Sequence, residues 1–328
     1  MPFILRRLVF YLVAAWVALT INFFIPRLIP GNAVQSVMAK FPNLQPSAYK
    51  ALEALLGVGH PGSLWHQYVS YLDDIFHFNF GTDVSQYPAS VSSLLAQTLP
   101  WTITLVGVAT VIAFLIGTAL GIVAGWRHGG TLDRVLPGLM FLQAIPYFFF
   151  ALILVELLAI RFHVFPTGQG YDNGLIPGWH WDFISSALYH SALPALTIIL
   201  TSIAGWMLQM RNVMITTIGE DYVIAAQAKG LSNRRVVFTY AARNALLPQL
   251  QGFGLAVGFV ISGALVMEIV FSYPGIGLLL LNAVTSNDYP LMQAIFLVIT
   301  FAVLLANLIV DMIIVVADPR ARRMEATS

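Results

Sequence analysis

Six stretches of mostly apolar residues leave this chain few ways to fold: about 8–29, 100–125, 135–160, 191–213, 250–272 and 290–316. Each is about as long as the 20 residues a helix needs to cross a bilayer. A water-soluble domain would not cover them, because 9% of residues are charged against 58% hydrophobic and mean hydropathy is +0.80. In lipid every backbone polar group must be satisfied within its own segment, so the stretches read as helices. The chain is therefore expected to be an all-α integral membrane protein with six transmembrane helices. A net charge of +1 offers no basic field for nucleic acid. With no cysteine, disulfides, thiolate catalysis and cysteine metal sites are excluded together.

An even number of spans puts both termini on one side. Assigning the ends and the loops at 126–134 and 214–249 to the cytoplasm places twelve of the 16 Lys and Arg there, Arg211 among them, and leaves Arg27, Lys40, Lys50 and Arg161 outside. The positive-inside rule then makes the termini cytoplasmic. Arg6 and Arg7 precede an apolar run too long for a signal-peptide core and without a small-residue cleavage site, so it reads as an uncleaved first span. The expected organisation is an N-terminus with its first span (1–30), an external helical insertion (31–98), a five-helix membrane core (99–317) and a cytoplasmic tail (318–328). In the insertion, two segments starting near Pro46 and Leu64 have helical spacing, the second with Trp65, Tyr68, Leu72 and Phe76 on one apolar face.

One loop differs from the rest. Thr217 to Pro248 carries Glu220, Asp221, Lys229, Arg234, Arg235 and Arg243 between long apolar runs, so it must leave the membrane. It reads as two short helices. Thr217 with Glu220 fits a capping box, Gly230 supplies the left-handed residue that ends the first helix, and Ser232 is placed to cap a second running toward Leu247.

The order Ala225-Ala226, three residues, Gly230 resembles the cytoplasmic loop of ABC importer permeases. The longer string A-K-G-L-S-x-x-R-V followed by R-N-A-L-L-P is similar to the first permease subunit of the dipeptide, oligopeptide and nickel importers. Further matches are FSYPGIGLLLLNAVTSNDYPLMQA from Phe271 and VDMIIVVADPRAR around Asp311. The chain departs from the general pattern at Ile224, where glutamate is usual, and at Arg243, where proline is usual, the proline arriving as Pro248. The resemblance implies a coupling helix, with Glu220, Asp221, Ala225, Ala226, Lys229 and Gly230 docking on an ATPase. It also implies a second homologous permease subunit, two ABC ATPase subunits that carry the ATP and Mg, an extracytoplasmic substrate-binding protein, and a prokaryotic cell membrane as the location. Peptides are the expected cargo, with oligosaccharides or chelated nickel as alternatives. The insertion would then either receive the binding protein or cap the helix bundle.

Inside the spans, Ala109, Ala113, Gly117, Gly121 and Gly125 form a small-residue stripe suited to close helix packing, within the subunit or against a partner, or to sliding during access switching. Pro137 and Pro146 are expected to kink the third span. The translocation path is assigned to Tyr147, Glu156, Trp206, Gln209 and Glu268. Each also has a structural reading: aromatics in the core or facing lipid, acids at an interface or hydrogen-bonded. Pro274 to Gly277 makes a turn, and the apolar run behind it is too short to span.

No G-x-x-x-x-G-K-[ST] loop occurs in the sequence, so ATP hydrolysis by that route is assigned to other subunits and no residue here is nominated as catalytic. His60, His66, His77, His163, His180 and His190 show no i, i+4 pairing and read as scattered surface residues, not metal ligands. A secondary transporter driven by an ion gradient is the rival from another class. It would be expected to show midplane charges and internal repeats, which this sequence does not display.

Overall fold

The structure, a computed structural model, describes residues 3–28, 63–83, 86, 88–258, 260 and 265–317. The helix expected near Pro46, the opening of the insertion and the tail 318–328 lie outside those residues. Among the described residues the elements are helical, apart from a bridge between Thr82 and Ser90. In chain order they are α1 (Phe3–Leu28), α2 (Leu64–Phe76), α3 (Val91–Trp126), α4 (Thr131–Ala144), α5 (Tyr147–Leu154, continuing as a π-helical turn over Val155–Arg161), and α6 (Trp181–Ile218). Then follow α7 (Asp221–Ala228), α8 (233–258, with a π-helical stretch at Val236–Ala242), α9 (Leu265–Val270), α10 (Ile276–Ser286) and α11 (Tyr289–Ala317).

Four of these helices are long and apolar enough to cross a bilayer among the described residues: α1, α3, α6 and α11. The third apolar stretch is not one straight span. Pro146 lacks an N–H and forces Ile145 into extended backbone (φ −76°, ψ 126°), so the helix stops at Ala144 and restarts at Tyr147. The two halves meet at 96°, a break where a kink was expected, and count as a fifth crossing only if taken together. Pro137, within α4, does not interrupt it. In the fifth stretch, residues 259 and 261–264 lie outside the described set, between the end of α8 and the start of α9.

The described residues fall into two compact units, one drawn from 1–102 and 274–305, the other from 103–273 and 306–317. In the first, the Asn22 side-chain amide donates to the Gln293 carbonyl (2.9 Å) and Gln293 Nε2 donates back to the Asn22 carbonyl (3.1 Å), tying α1 to α11. Tyr68 and Tyr71 of α2 pack edge-on or tilted against Phe23, and the Tyr68 hydroxyl lies 2.8 Å from Thr20 Oγ1. The face α2 turns toward α1 is thus Tyr68 and Tyr71. Trp65 and Phe76, expected on that face, are 72% and 77% exposed. Thr102 Oγ1 accepts the first N–H of α10, which is short, as its apolar run predicts.

The second unit is built on a glycine seam. A Cβ at Gly117, Gly121 or Gly125 would lie 2.6, 2.6 and 2.5 Å from Trp206 Cβ, the Met207 carbonyl oxygen and Met214 Cβ. The spacing of four keeps all three on one face of α3, so α6 comes into backbone contact along two turns. The stripe therefore serves packing inside the subunit. Ala124, Leu136 and Met207 then join α3, α4 and α6 in one core.

Candidate functional site

Two features of the second unit bear on function: the short helix α7 with its supports, and a cavity between α3, α5, α6, α8 and α9.

α7 begins after Glu220, whose backbone is extended (φ −73°, ψ 142°) and whose carbonyl accepts the N–H groups of Val223 and Ile224. The expected capping box is not formed. Thr217 belongs to the last turn of α6, where its hydroxyl donates to the Val213 carbonyl at 2.7 Å, and Glu220 itself occupies the N-cap position. The far end is as expected. Gly230 has φ +73° and its N–H donates to the Gln227 carbonyl at 2.9 Å. A Cβ there would meet nothing within 4 Å, so the backbone conformation alone calls for glycine. Ser232 stands at the N-cap of the next helix without a side-chain hydrogen bond, and that helix runs past Leu247 to Gly258.

The helix divides its residues between two faces. Val223 and Ala226 are buried with Ile122 of α3, Met210 and Met214 of α6, and Val236, Ala241 and Ala245 of α8. Asp221, Tyr222, Ile224, Ala225, Gln227, Lys229 and Gly230 are exposed. The two adjacent alanines therefore differ: Ala226 must be small to sit between helices, whereas Ala225 faces outward.

An ion pair that the sequence reading missed braces this platform. Arg211 Nε donates to Asp133 Oδ1 at 2.6 Å and Nη2 donates to Asp133 Oδ2 at 3.1 Å, a bidentate fork. The Gly129 N–H donates to the same carboxylate at 2.7 Å. This ties the end of α6 to the turn between α3 and α4. The available signal was Arg211, a lone cation ending a long apolar helix and in need of a counter-charge.

The cavity encloses about 200 Å³. Its polar lining comes from Thr110, Tyr147, Thr201, Ser202 and Trp206, and Met267 and Val260 help close it. Among the described residues no charged side chain lines it. Two of the five path residues nominated from sequence, Tyr147 and Trp206, are in its wall. Trp206 is held edge-on against Phe114 (5.3 Å between ring centroids) and tilted against Phe253 (6.3 Å). Gln209 lies one turn further along α6, against Gly252. Glu156 is exposed on the π-helical turn after α5, outside the cavity. Glu268 is fully buried beside the cavity residue Met267, with its carbonyl accepting the Tyr273 N–H at 2.8 Å. The hydroxyls at 110, 201 and 202 were not singled out from sequence, since a hydroxyl in a helix commonly bonds its own backbone. Thr201 does so, donating to the Thr197 carbonyl at 2.9 Å.

A third cluster corrects the histidine reading. His190 is 7% exposed, not a surface residue, because the segment 162–180 folds over the first turns of α6. Its Nδ1 lies 2.8 Å from the Gly168 carbonyl oxygen and its Nε2 lies 3.2 Å from Asp172 Oδ1. Ser186 donates to Asp172 Oδ2 at 2.6 Å. These contacts hold the Asp172 carboxyl below the usual carboxylate range, the Ser186 hydroxyl first and His190 second. Among the described residues no group of three His, Asp or Glu side chains gathers to hold a metal.

Residues 117–323 match the family described as the inner membrane component of binding-protein-dependent transport systems. The chain belongs to this family. The matched range begins at the first glycine of the seam and takes in α7, the ion pair and all of the named cavity wall except Thr110. The dipeptide transport system permease protein DppB of Escherichia coli is 30% identical over 342 residues, covering 98% of this chain and 99% of its own. The oligopeptide transport system permease protein OppB of Haemophilus influenzae is 32% identical over 323 residues, with the same coverage. The oligopeptide transport system permease protein AppB of Bacillus subtilis is 30% identical over 302 residues, 92% of each chain. The resemblance to the peptide-type ABC permeases drawn from the loop at 217–248 is borne out. As an inner membrane component of such a system, the chain is a multi-pass membrane protein, and its family works with a binding protein and an ATPase.

Proposed function

We propose that this chain is one permease subunit of an ATP-driven ABC importer and forms half of a translocation path for peptides delivered by an external binding protein. The observation that carries the peptide assignment is similarity over more than nine-tenths of the chain to three permeases named for dipeptide or oligopeptide transport. The cavity agrees with it. Its hydroxyl and indole groups serve a neutral, hydrogen-bonding cargo, and its volume suits one side of a path completed by a second permease.

The six apolar stretches cross the membrane with both termini in the cytoplasm, which sets α7 on the side where ATP is. The exposed face of α7, from Asp221 to Gly230, docks on one of two ATPase subunits, which hold the ATP and Mg. Its buried face, Val223 and Ala226, locks it to the ends of α3, α6 and α8. When the ATPase dimer closes, displacement of α7 is passed to these spans as a body, and the path changes from inward-open to outward-open. In this arrangement Glu156, exposed at the end of α5, meets a neighbouring subunit or the membrane interface, and Glu268 is a packing acid of α9.

The test is uptake of labelled short peptides, oligosaccharides and nickel by cells with and without this gene. Loss of peptide uptake alone supports the reading. Loss of sugar or nickel uptake with peptides unaffected overturns the cargo assignment.

A further inference from the structure

The wall that lines the cavity continues beyond Trp206. On α6, Ile198, Thr201, Ser202 and Trp206 follow the three-and-four spacing of one helix face, and the same face goes on to Gly205 and Gln209. On α8, the cavity residue Ala256 stands four positions from Gly252. Each of these glycines is overlaid by an amide. A Cβ at Gly205 would meet Gln143 Nε2 at 2.9 Å, and one at Gly252 would meet Gln209 Nε2 at 3.0 Å and the Trp206 ring at 3.6 Å. Gln143 lies in the last turn of α4, across the break at Pro146 from Tyr147 of the cavity wall.

These two amides differ from a third nearby. Gln249 is fully buried, and its Nε2 donates to the Trp206 carbonyl at 3.0 Å and to Thr118 Oγ1 at 3.3 Å, so it fixes the wall. Gln209 is half-buried and Gln143 exposed, and neither side-chain amide hydrogen-bonds another described residue. Toward the described residues each keeps two N–H donors and a carbonyl acceptor open. That is the complement of a peptide bond, without a charge.

We infer that Gln143 and Gln209 form a second subsite of the path, adjoining the cavity, which takes the peptide main chain by amide-to-amide hydrogen bonds. Glycine at 205 and 252 lets the two amides lie flat on the helices. A subsite of this kind holds what all short peptides share and is indifferent to their side chains. The inference rests on the peptide reading above.

The test compares uptake of a labelled tripeptide with its analogue in which one backbone N–H is replaced by an ester oxygen, in the wild type, a deletion strain and the variants Gln209→Leu, Gln143→Leu and Gln209→Asn. Wild-type cells are expected to prefer the tripeptide. The leucine variants are expected to carry it about tenfold more slowly, the size of one lost hydrogen bond, with the preference falling toward one. The binding protein is the same in every strain, so a changed preference belongs to this chain. An unchanged preference in both leucine variants overturns the subsite. If Gln209→Leu carries neither compound, Gln209→Asn, which keeps the amide, must restore tripeptide uptake, and failure to do so also overturns it. Undiminished tripeptide uptake in the deletion strain overturns the peptide reading itself, whatever the glutamine variants do.

Discussion

Arg211 grips Asp133 through a two-pronged ion pair, with Nε 2.6 Å from Oδ1 and Nη2 3.1 Å from Oδ2, across 78 residues of sequence. Both side chains are mostly shielded, at 17% and 13% exposure. Asp133→Asn leaves the guanidinium facing a neutral amide and is expected to cost about 1.5–3 kcal/mol, the worth of hydrogen bonds to a charged group. A lowered thermal midpoint of the detergent-solubilised protein would show it. The swap Asp133→Arg with Arg211→Asp should recover part of the loss, and a double variant no better than the worse single one would show that the pair is not what holds α6 to the α3–α4 turn.

Gly121→Ala should separate α3 from α6. The added Cβ would sit 2.6 Å from the Met207 carbonyl oxygen, and backbone does not yield as a flexible side chain would. Overpacking of this kind costs about 1–3 kcal/mol. Gly107→Ala on the same helix meets nothing within 4 Å and is the control. Equal thermal midpoints for the two variants would contradict the seam.

At Gly230, alanine and proline should behave differently. Alanine has room and bears only the left-handed backbone, about 1–2 kcal/mol, so Gly230→Ala should keep much of its transport. Proline is held near φ −65° and has no N–H for the Gln227 carbonyl, so Gly230→Pro should abolish uptake while the protein still inserts. Normal uptake by the proline variant at normal membrane abundance would refute the role given to this turn.

Asp172 is expected to give the segment 162–180 an acid limit. Its carboxyl titrates below the usual carboxylate range because Ser186 and His190 hydrogen-bond the charged form. A depressed folded-state value means that the contribution to stability is complete above the ordinary carboxylate range near pH 4 and is lost as pH falls through the lower folded value. Hydrogen exchange in 162–180 should therefore be insensitive to Asp172 titration between pH 7 and 5, with protection failing only below that. Asp172→Asn should raise exchange throughout and remove the acid step. An acid step retained in this variant would assign it to another group.

The parts legible in the sequence were those that depend on single residue types in local context. Gly230 could be read because few other residues adopt positive φ cheaply, and α10 because its apolar run is too short to span. Pro146 was read in kind but not in degree: the restriction it places on Ile145 turns a kink into a 96° break. The capping box failed because Thr217 had a competing acceptor four residues back, the Val213 carbonyl, and α6 simply continued through it. What the sequence hid was pairing at a distance. Small residues at 117, 121 and 125 announce a close approach without saying to which helix. His190 reads as one more external histidine until the loop at 162–180 is folded over it. Tyr147 and Trp206 could be singled out because large aromatics in a span stand out, whereas Thr110 and Ser202, which line the same cavity, do not.

The most direct test of the coupling role given to α7 uses the chain's lack of cysteine. Single cysteines placed at Ala225 and, separately, at Val223 can be treated with a thiol-to-amine cross-linker in membranes holding the assembled transporter. The outward face predicts a cross-link from Ala225→Cys to the ATPase subunit and none from Val223→Cys, which lies buried against α6 and α8. No cross-link from Ala225→Cys while the ATPase remains bound to the complex would contradict the account.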